Sequence, residues 1–412
     1  MEEIEIEPPN ATVPVSDQYP EEIERIASDE LTYAEFFNRY FRPNHPVIIT
    51  SIAKDWECYN KWINRTENIP PTLDVAYLKA RLPNVPVPVA DCAKQYYNSH
   101  EKVELQLHDF LNTWACFENE ETTQTELPTK RSRYYLKDWH LQSTVPEYCF
   151  YQTPRFFASD WLNEYLVETG ADDYRFVYMG PKGTWTGFHA DVFGSYSWSV
   201  NVFGQKLWYL LLPGEERKLL DSLNNLPFMI TETLLHEVDA KFYTIRQRPG
   251  EAIFVPSGWY HQVQNVEDAI SVNHNWFNGC NVGLIWRNLC DALRDVRREI
   301  DDCRDMDNFE EHCQLMLKAS FGMDFEDFLT IIFYICDKRL ASFLGGTKDR
   351  QFSTYELGKR HAEFDLKAIQ HLLSGIVEGN HLAFCPDLFS NAMNWLNKVK
   401  SIEISFQSND TV

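Results

Sequence analysis

Between Tyr174 and Trp276 the chain reads as a close succession of short strands, which limits the folds open to it. The runs are Tyr174–Met179, Gly187–Asp191, Tyr196–Phe203, Lys206–Leu212, Phe242–Arg246, Ala252–Val255, His261–Val266 and Ile270–Trp276. Gly204, Pro213-Gly214 and Pro249-Gly250 supply turns between them. Within one run Tyr196, Trp198, Val200 and Val202 alternate with Ser197, Ser199 and Asn201, the period of a half-buried strand. Many short strands at such spacing predict a barrel or a sandwich.

Helical patterns flank this unit. Ser28-Asp29 precede Leu31, Ala34, Phe37 and Phe41 at helical spacing, a capped amphipathic helix. Val47 to Thr50 reads as a strand, Leu73 to Leu82 and Glu104 to Phe117 as helices, Glu118 to Lys130 as an exposed loop, and Arg133 to Trp139 as a strand. Pro154 to Thr169 reads as a helix. After Gly283 the pattern is helical to the end, with Leu284 to Arg297, Asp307 to Leu317, Phe325 to Phe343 and Leu366 to Val377. The apolar faces there, such as Phe328, Ile331, Ile332 and Ile335, must be covered, by the chain itself or by dimerisation or substrate docking. Four prolines in residues 1–20 predict a flexible N-terminal arm. The organisation expected is that arm, a helical and mixed region over 21–130 packing on the core, a β core over 131–282, and a helical region over 283–412. The fold class expected is α+β.

Of the 412 residues, 38 are Lys or Arg and 61 are Asp or Glu, a formal net charge of -23. So acidic a chain suits a basic partner and argues against direct binding of nucleic acid. No apolar run approaches the roughly 20 residues of a membrane-spanning helix. Ten scattered cysteines without a secretion signal read as reduced thiols, and a cytoplasmic protein is expected. No nucleophile elbow, P-loop or Rossmann glycine pattern occurs.

The sharpest local feature is His189-Ala190-Asp191. Residues i and i+2 of a strand share a face, so imidazole and carboxylate converge. His261 follows the turn Pro256-Ser-Gly258 at the head of another strand. Two histidines and a carboxylate on one face of an octahedron form the facial triad of non-haem Fe(II) oxygenases. Lys206 opens a strand rich in Trp, Tyr and Leu, where a charge needs an anion such as a dicarboxylate. Thr186 and Tyr135 could add hydroxyls to it. His274 reads as a core histidine, Trp259 and Tyr260 as packing. Cys280, Cys290, Cys303, His312 and Cys313 lack the tight pairs of a zinc site and read as buried thiols.

Several spaced segments agree in order with a known family. Thr186-Gly-Phe-His-Ala-Asp191, Ser197-Trp-Ser-Val-Asn201, Gln205-Lys-Leu-Trp208 and Pro249 to His261 resemble the JmjC (Jumonji C) 2-oxoglutarate oxygenases over roughly residues 130 to 340. Tyr135 to His140, Ser159 to Glu164, Asp173 to Tyr178 and Ser271 to Trp276 carry a closer likeness to the Jumonji-domain-containing protein 4 branch, the release-factor lysyl hydroxylases. The resemblance implies a double-stranded β-helix of the cupin (jelly-roll) kind. It implies Fe(II) held by His189, Asp191 and His261, with 2-oxoglutarate and O2 as cosubstrates. It implies that Lys206 pairs with the distal carboxylate of 2-oxoglutarate, assisted by Thr186 and Tyr135. Ser199 and Asn273 stand where many members carry an asparagine and a serine or threonine, and are weaker candidates for the same pocket. The implied reaction is hydroxylation of a lysine side-chain carbon in the eukaryotic translation termination (release) factor. Histone N-methyl-lysine demethylation by the same oxidant, or a non-catalytic cupin serving as an interaction module, are the alternatives.

Overall fold

The strand runs expected between Tyr174 and Trp276 all form in a computed structural model, which describes residues 2–7, 19–66, 70–118, 133–345, 352 and 354–402. The strands named here are β1 (Glu2–Ile4), β2 (Arg25–Ala27), β3 (Val47–Thr50), β4 (Pro86–Tyr96), β5 (Ser99–Gln106), β6 (Tyr134–Trp139) and β7 (Arg175–Gly180). They continue as β8 (Trp185–His189), β9 (Tyr196–Phe203), β10 (Lys206–Leu211), β11 (Phe242–Gln247), β12 (Ala252–Val255), β13 (His261–Asn265), β14 (Ala269–Trp276) and β15 (Tyr355–Leu357). One sheet has the order β8-β13-β10-β11, and a larger one β2-β3-β12-β9-β14-β7-β6-β4-β5. From β7 to β14 the chain steps between the sheets: β7, β9, β12 and β14 lie in the larger, β8, β10, β11 and β13 in the smaller. That path is the double-stranded β-helix expected from the sequence, with flanking helices.

The larger sheet reaches well before residue 131. The hairpin β4–β5 extends it through β6, and β2 and β3 extend its other edge through β12. Glu104–Gln106 is therefore strand and not the start of a helix; the helix α1 spans Leu107–Glu118. Pro86 and Pro88 and the polar run of β5 hide this hairpin from a search for apolar periodicity, and β5 alternates exposed and half-buried residues. The arm expected over 1–20 is corrected at its start. Glu2–Ile4 pairs in parallel with Tyr355–Leu357, with Ile4 and Ile6 buried. Residues 8–18 of that arm lie outside the described residues, as does the loop expected over Glu118 to Lys130 from residue 119 on.

In place of one helix over Pro154 to Thr169 there is a three-residue 3-10 turn at Arg155–Phe157, then α2 (Trp161–Glu168). The break lies at Asp160, whose extended backbone and carboxylate, accepting from the Asn163 N–H at 2.8 Å, make it an N-cap. The C-terminal region holds α3 (Val282–Glu299), α4 (Phe309–Phe321), α5 (Phe325–Phe343), α6 (Lys359–Glu378) and α7 (Pro386–Lys400). Asp324 and Asp327 close a capping box on α5. Phe328, Ile331, Ile332 and Ile335 pack within the chain, against α2, α6 and α7. Each such side chain contributes roughly 1.5–3 kcal/mol on burial.

Candidate active site

A cleft of about 480 Å³ opens between the two sheets, with walls from both. The smaller sheet contributes Thr186, His189, Lys206 and His261; the larger contributes Tyr135, Ser199 and Asn273. With Asp191 between the sheets, the residues expected to hold iron and 2-oxoglutarate thus line one space.

His189 ends β8 just after a register slip between Thr186 and His189, a bulge of the kind that re-aims side chains beside sites. His189 Nδ1 lies 2.8 Å from the Gly187 carbonyl, and His261 Nδ1 lies 3.1 Å from the Trp259 carbonyl. A carbonyl only accepts, so each Nδ1 carries a proton, and the neutral form of each ring has its lone pair on Nε2. This is the tautomer a metal requires. Burial, then the nearby His261, hold the His189 pKa down to about 4, which keeps it neutral. Asp191 lies beyond the end of β8 and precedes a 3-10 turn at Val192–Gly194, rather than sitting in the strand. Its backbone stays extended (φ -63°, ψ 151°), so its carboxylate still converges with His189. Ser197 Oγ donates to one Asp191 oxygen at 2.6 Å and Asn275 Nδ2 to the other at 2.9 Å. One ligand atom each from His189, Asp191 and His261 fall within 4.8 Å of one another. Two imidazoles oriented through Nδ1 and an anchored carboxylate fit Fe(II) as a facial donor set.

Lys206 opens β10 after a turn in which Gly204 has φ 65°. A side chain there would meet the Asp268 carbonyl, so only glycine allows the turn that delivers the lysine. Lys206 is 2% exposed and donates to the Tyr135 hydroxyl at 3.1 Å. Among the described residues no carboxylate pairs with it. Burial, then the charge of Lys137, push its pKa down to about 7. A buried cation without a counter-ion is costly, and an incoming dicarboxylate removes the cost. Burial raises the Tyr135 pKa, so its hydroxyl stays protonated, with Asn265 and Thr186 beside it. Ser199 and Asn273 are register partners on β9 and β14, and Ser199 Oγ is buried with no partner. These unmet groups fit 2-oxoglutarate. Asn201, one step further along β9, turns away and donates to the Gly204 carbonyl at 2.6 Å.

His274 sits in the core, 2.7 Å from the Tyr151 hydroxyl, with its ring tilted against Trp198 at 4.1 Å. Trp259 is buried in a core cluster and Tyr260 packs against another. The cysteine group assembles no metal site among the described residues; of its thiols expected to be buried, only Cys313 is, with Cys280 and Cys290 half-buried and Cys303 exposed. A second convergence, His140 with Asp172 and Asp173, is an ion-pair network: Arg175 reaches Asp173 at 2.6 Å and Ser143 donates to it at 2.8 Å.

Ser197 and Asn275 were not singled out by sequence, although they hold the Asp191 carboxylate. Their signal is a ladder. Ser197, Ser199 and Asn201 on β9 face Asn275, Asn273 and Ser271 on β14 in register. Tyr196 to Val202 are all buried, so the period of two divides core from cleft rather than core from solvent. Lys137 and His100 also line the cleft unanticipated.

Comparison with known proteins agrees with this geometry. Residues 176–276 match the family model described as JmjC domain, hydroxylase. The 2-oxoglutarate and iron-dependent oxygenase JMJD4 homolog of Drosophila melanogaster is 47% identical over 396 residues, 92% of this chain and 93% of its own. The human 2-oxoglutarate and iron-dependent oxygenase JMJD4 is 38% identical over 356 residues, 84% of this chain and 82% of its own. The arginine-specific demethylase JMJ20 of Arabidopsis thaliana is 39% identical over 335 residues, 74% of this chain and 68% of its own.

Proposed function

The chain belongs to the JmjC family of 2-oxoglutarate- and iron-dependent oxygenases, and from that premise we propose that it hydroxylates a lysine side-chain carbon of the eukaryotic translation release factor. The observation that carries the oxygenase reading is the conjunction of the His189, Asp191 and His261 donors with a buried Lys206 that meets no carboxylate among the described residues, all in one cleft. His189, Asp191 and His261 would hold Fe(II). Lys206, Tyr135 and Thr186 would hold the distal carboxylate of 2-oxoglutarate, with Ser199 and Asn273 on the facing wall. Bound there, iron and 2-oxoglutarate supply the oxidation, in which O2 is consumed, succinate and CO2 leave, and a C–H bond gains a hydroxyl. The chain's own part is orientation. The carbonyls of Gly187 and Trp259 set the ring tautomers, Ser197 and Asn275 fix the Asp191 carboxylate, and Lys206 sets the cosubstrate's axis.

The lysine target is supported by the sequence likeness to the release-factor hydroxylase branch and by a net charge of -23, which suits a basic substrate. Action on that factor would be cytoplasmic. The release factor should gain one oxygen atom on a single lysine, by mass spectrometry, only with Fe(II), 2-oxoglutarate and intact His189. Loss of methyl groups from a methylated peptide, with no oxygen gained on the release factor, would favour a demethylase. The name of the Arabidopsis relative speaks for that second reading, which changes only the C–H bond presented.

A further inference from the structure

The cleft carries a second set of polar groups that the cosubstrate pocket does not use. Lys137 and Asp138 are consecutive, yet both line the cleft, which a regular strand forbids because neighbours point to opposite faces. The register of β6 on β7 slips between Leu136 and Trp139, and Asp138 sits at φ 60°. Strain and a bulge together turn both side chains inward, and such strain collects at functional sites. Asp138 is occupied: Tyr178 donates to it at 2.8 Å and Lys102 lies 3.4 Å away. Lys137 is not. It is half-buried, and among the described residues no hydrogen bond or ion pair engages its ammonium, whose nearest aromatic face is the Tyr178 ring at 5.8 Å. Its side chain lines the cleft, and its charge adds to burial in lowering the pKa of Lys206.

His100 makes an independent case. It is 6% exposed and lines the same cleft, with its ring edge-on to Trp185 at 4.5 Å and to Phe228 at 5.0 Å. Among the described residues neither ring nitrogen has a well-formed hydrogen bond, although the backbones of Trp185 and Lys94 lie near enough to favour its charged form. A buried imidazole so weakly engaged leaves capacity for a ligand to complete it. His100 comes from the hairpin β4–β5, whose turn exposes Tyr96 and Tyr97 beside the cleft-lining Asn98. Exposed paired aromatics at the lip of a cleft suit a docking peptide.

We infer that Lys137 and His100 form a substrate subsite that binds a hydrogen-bond acceptor of the peptide next to the target residue, with the hairpin Pro86–Gln106 as its wall. The acceptor is a carbonyl-type oxygen, from a backbone amide or from an acidic side chain. The inference rests on the cleft being a peptide-oxygenase site.

The test uses Lys137→Met and His100→Phe, which keep stem packing and the ring contacts with Trp185 and Phe228. With a lysyl peptide of the release factor, each should raise the peptide KM about tenfold, the loss expected for a hydrogen bond to a charged or buried group. The 2-oxoglutarate KM should move far less than the peptide KM, since neither side chain contacts that pocket and Lys137 reaches Lys206 only through its charge. An unchanged peptide KM overturns the subsite, and a rise in the 2-oxoglutarate KM instead assigns Lys137 to the cosubstrate and overturns it equally. Peptides with acidic residues replaced by amides separate the sources. A persisting Lys137→Met effect marks a backbone carbonyl, a vanishing one a side-chain carboxylate.

A measurement free of turnover keeps this distinct from the reaction proposed above. In anaerobic protein loaded with Fe(II) and 2-oxoglutarate, acetate or N-methylacetamide should slow the labelling of Lys137 by an amine-reactive ester. Labelling slowed by neither probe contradicts the subsite, whereas failure of the wild-type protein to oxidise the peptide counts only against the proposed substrate.

Discussion

Two cations are buried in this molecule to the same depth, and they have opposite surroundings. Arg339 on α5 is 3% exposed, and three of its nitrogens reach carboxylates: Glu164 at 2.8 and 3.1 Å and Asp365 at 2.7 Å. Burial alone would lower its pKa, but the two carboxylates raise it. Trp161 donates to Asp365 at 3.2 Å, and His361, paired to Asp365 at 3.5 Å, meets the Tyr33 hydroxyl. This network joins α2, α5 and α6. Lys206, equally buried, has a phenol and, among the described residues, no carboxylate. A cation with its anions inside the chain is architecture, whereas one without them is waiting for a ligand. The contrast separates the part of the molecule that holds the site in place from the part that binds.

The largest effect expected is at the paired cation. Arg339→Met leaves Glu164 to Lys338 at 3.2 Å and Asp365 to His361 and Trp161, stripping the buried carboxylates of their bidentate cation, and should cost about 3–5 kcal/mol in denaturant unfolding. Any loss of iron or 2-oxoglutarate binding should follow the loss of fold. Next comes the unpaired cation. Lys206→Met should weaken 2-oxoglutarate binding roughly 10–100-fold, the worth of a hydrogen bond to a charged group. Without cosubstrate the same variant should be as stable as the wild type or more so, because no carboxylate is orphaned. Equal destabilisation by the two substitutions would erase the comparison.

The pH dependence sharpens it. The folded pKa of Lys206 is near 7, below that of the unfolded lysine, about 10.4. The unfolded chain therefore binds more protons between those values. The cost of burying the charge is felt in full below about pH 7 and is relieved as pH rises toward the unfolded value. The stability advantage of Lys206→Met over the cosubstrate-free wild type should thus shrink from pH 7 to pH 9. The wild type's 2-oxoglutarate affinity should fall over the same range as the ammonium is lost. The smallest effect is at Asp191's supports: Ser197→Ala should weaken Fe(II) binding by about three- to tenfold in a competition titration, the loss of one hydrogen bond.

Much of the site was legible from sequence because its parts are local. His189 and Asp191 are two residues apart, Thr186 three before, and Lys206 follows a glycine turn into an apolar strand. The strands of the β-helix were legible for a similar reason, since both faces are buried and the apolar residues are dense. What escaped depends on neighbours distant in sequence. The hairpin β4–β5 is polar on its outer face and breaks its pattern with prolines, so only pairing with β6 reveals it. Asn275 reaches Asp191 across 84 residues, and His100 reaches the cleft from the hairpin. Asp191 itself was placed one element too early, in a strand rather than past its end, yet the extended backbone preserved the convergence.

The account stands or falls on whether this cleft assembles iron and 2-oxoglutarate together. The direct measurement is an anaerobic titration of the protein with Fe(II) and 2-oxoglutarate, following the visible charge-transfer absorption of the iron–oxo-acid chelate. The account predicts a band that saturates with cosubstrate, is absent in His189→Ala, and needs far more 2-oxoglutarate in Lys206→Met. A folded wild-type protein that gives no band, or a band that survives His189→Ala, would contradict it.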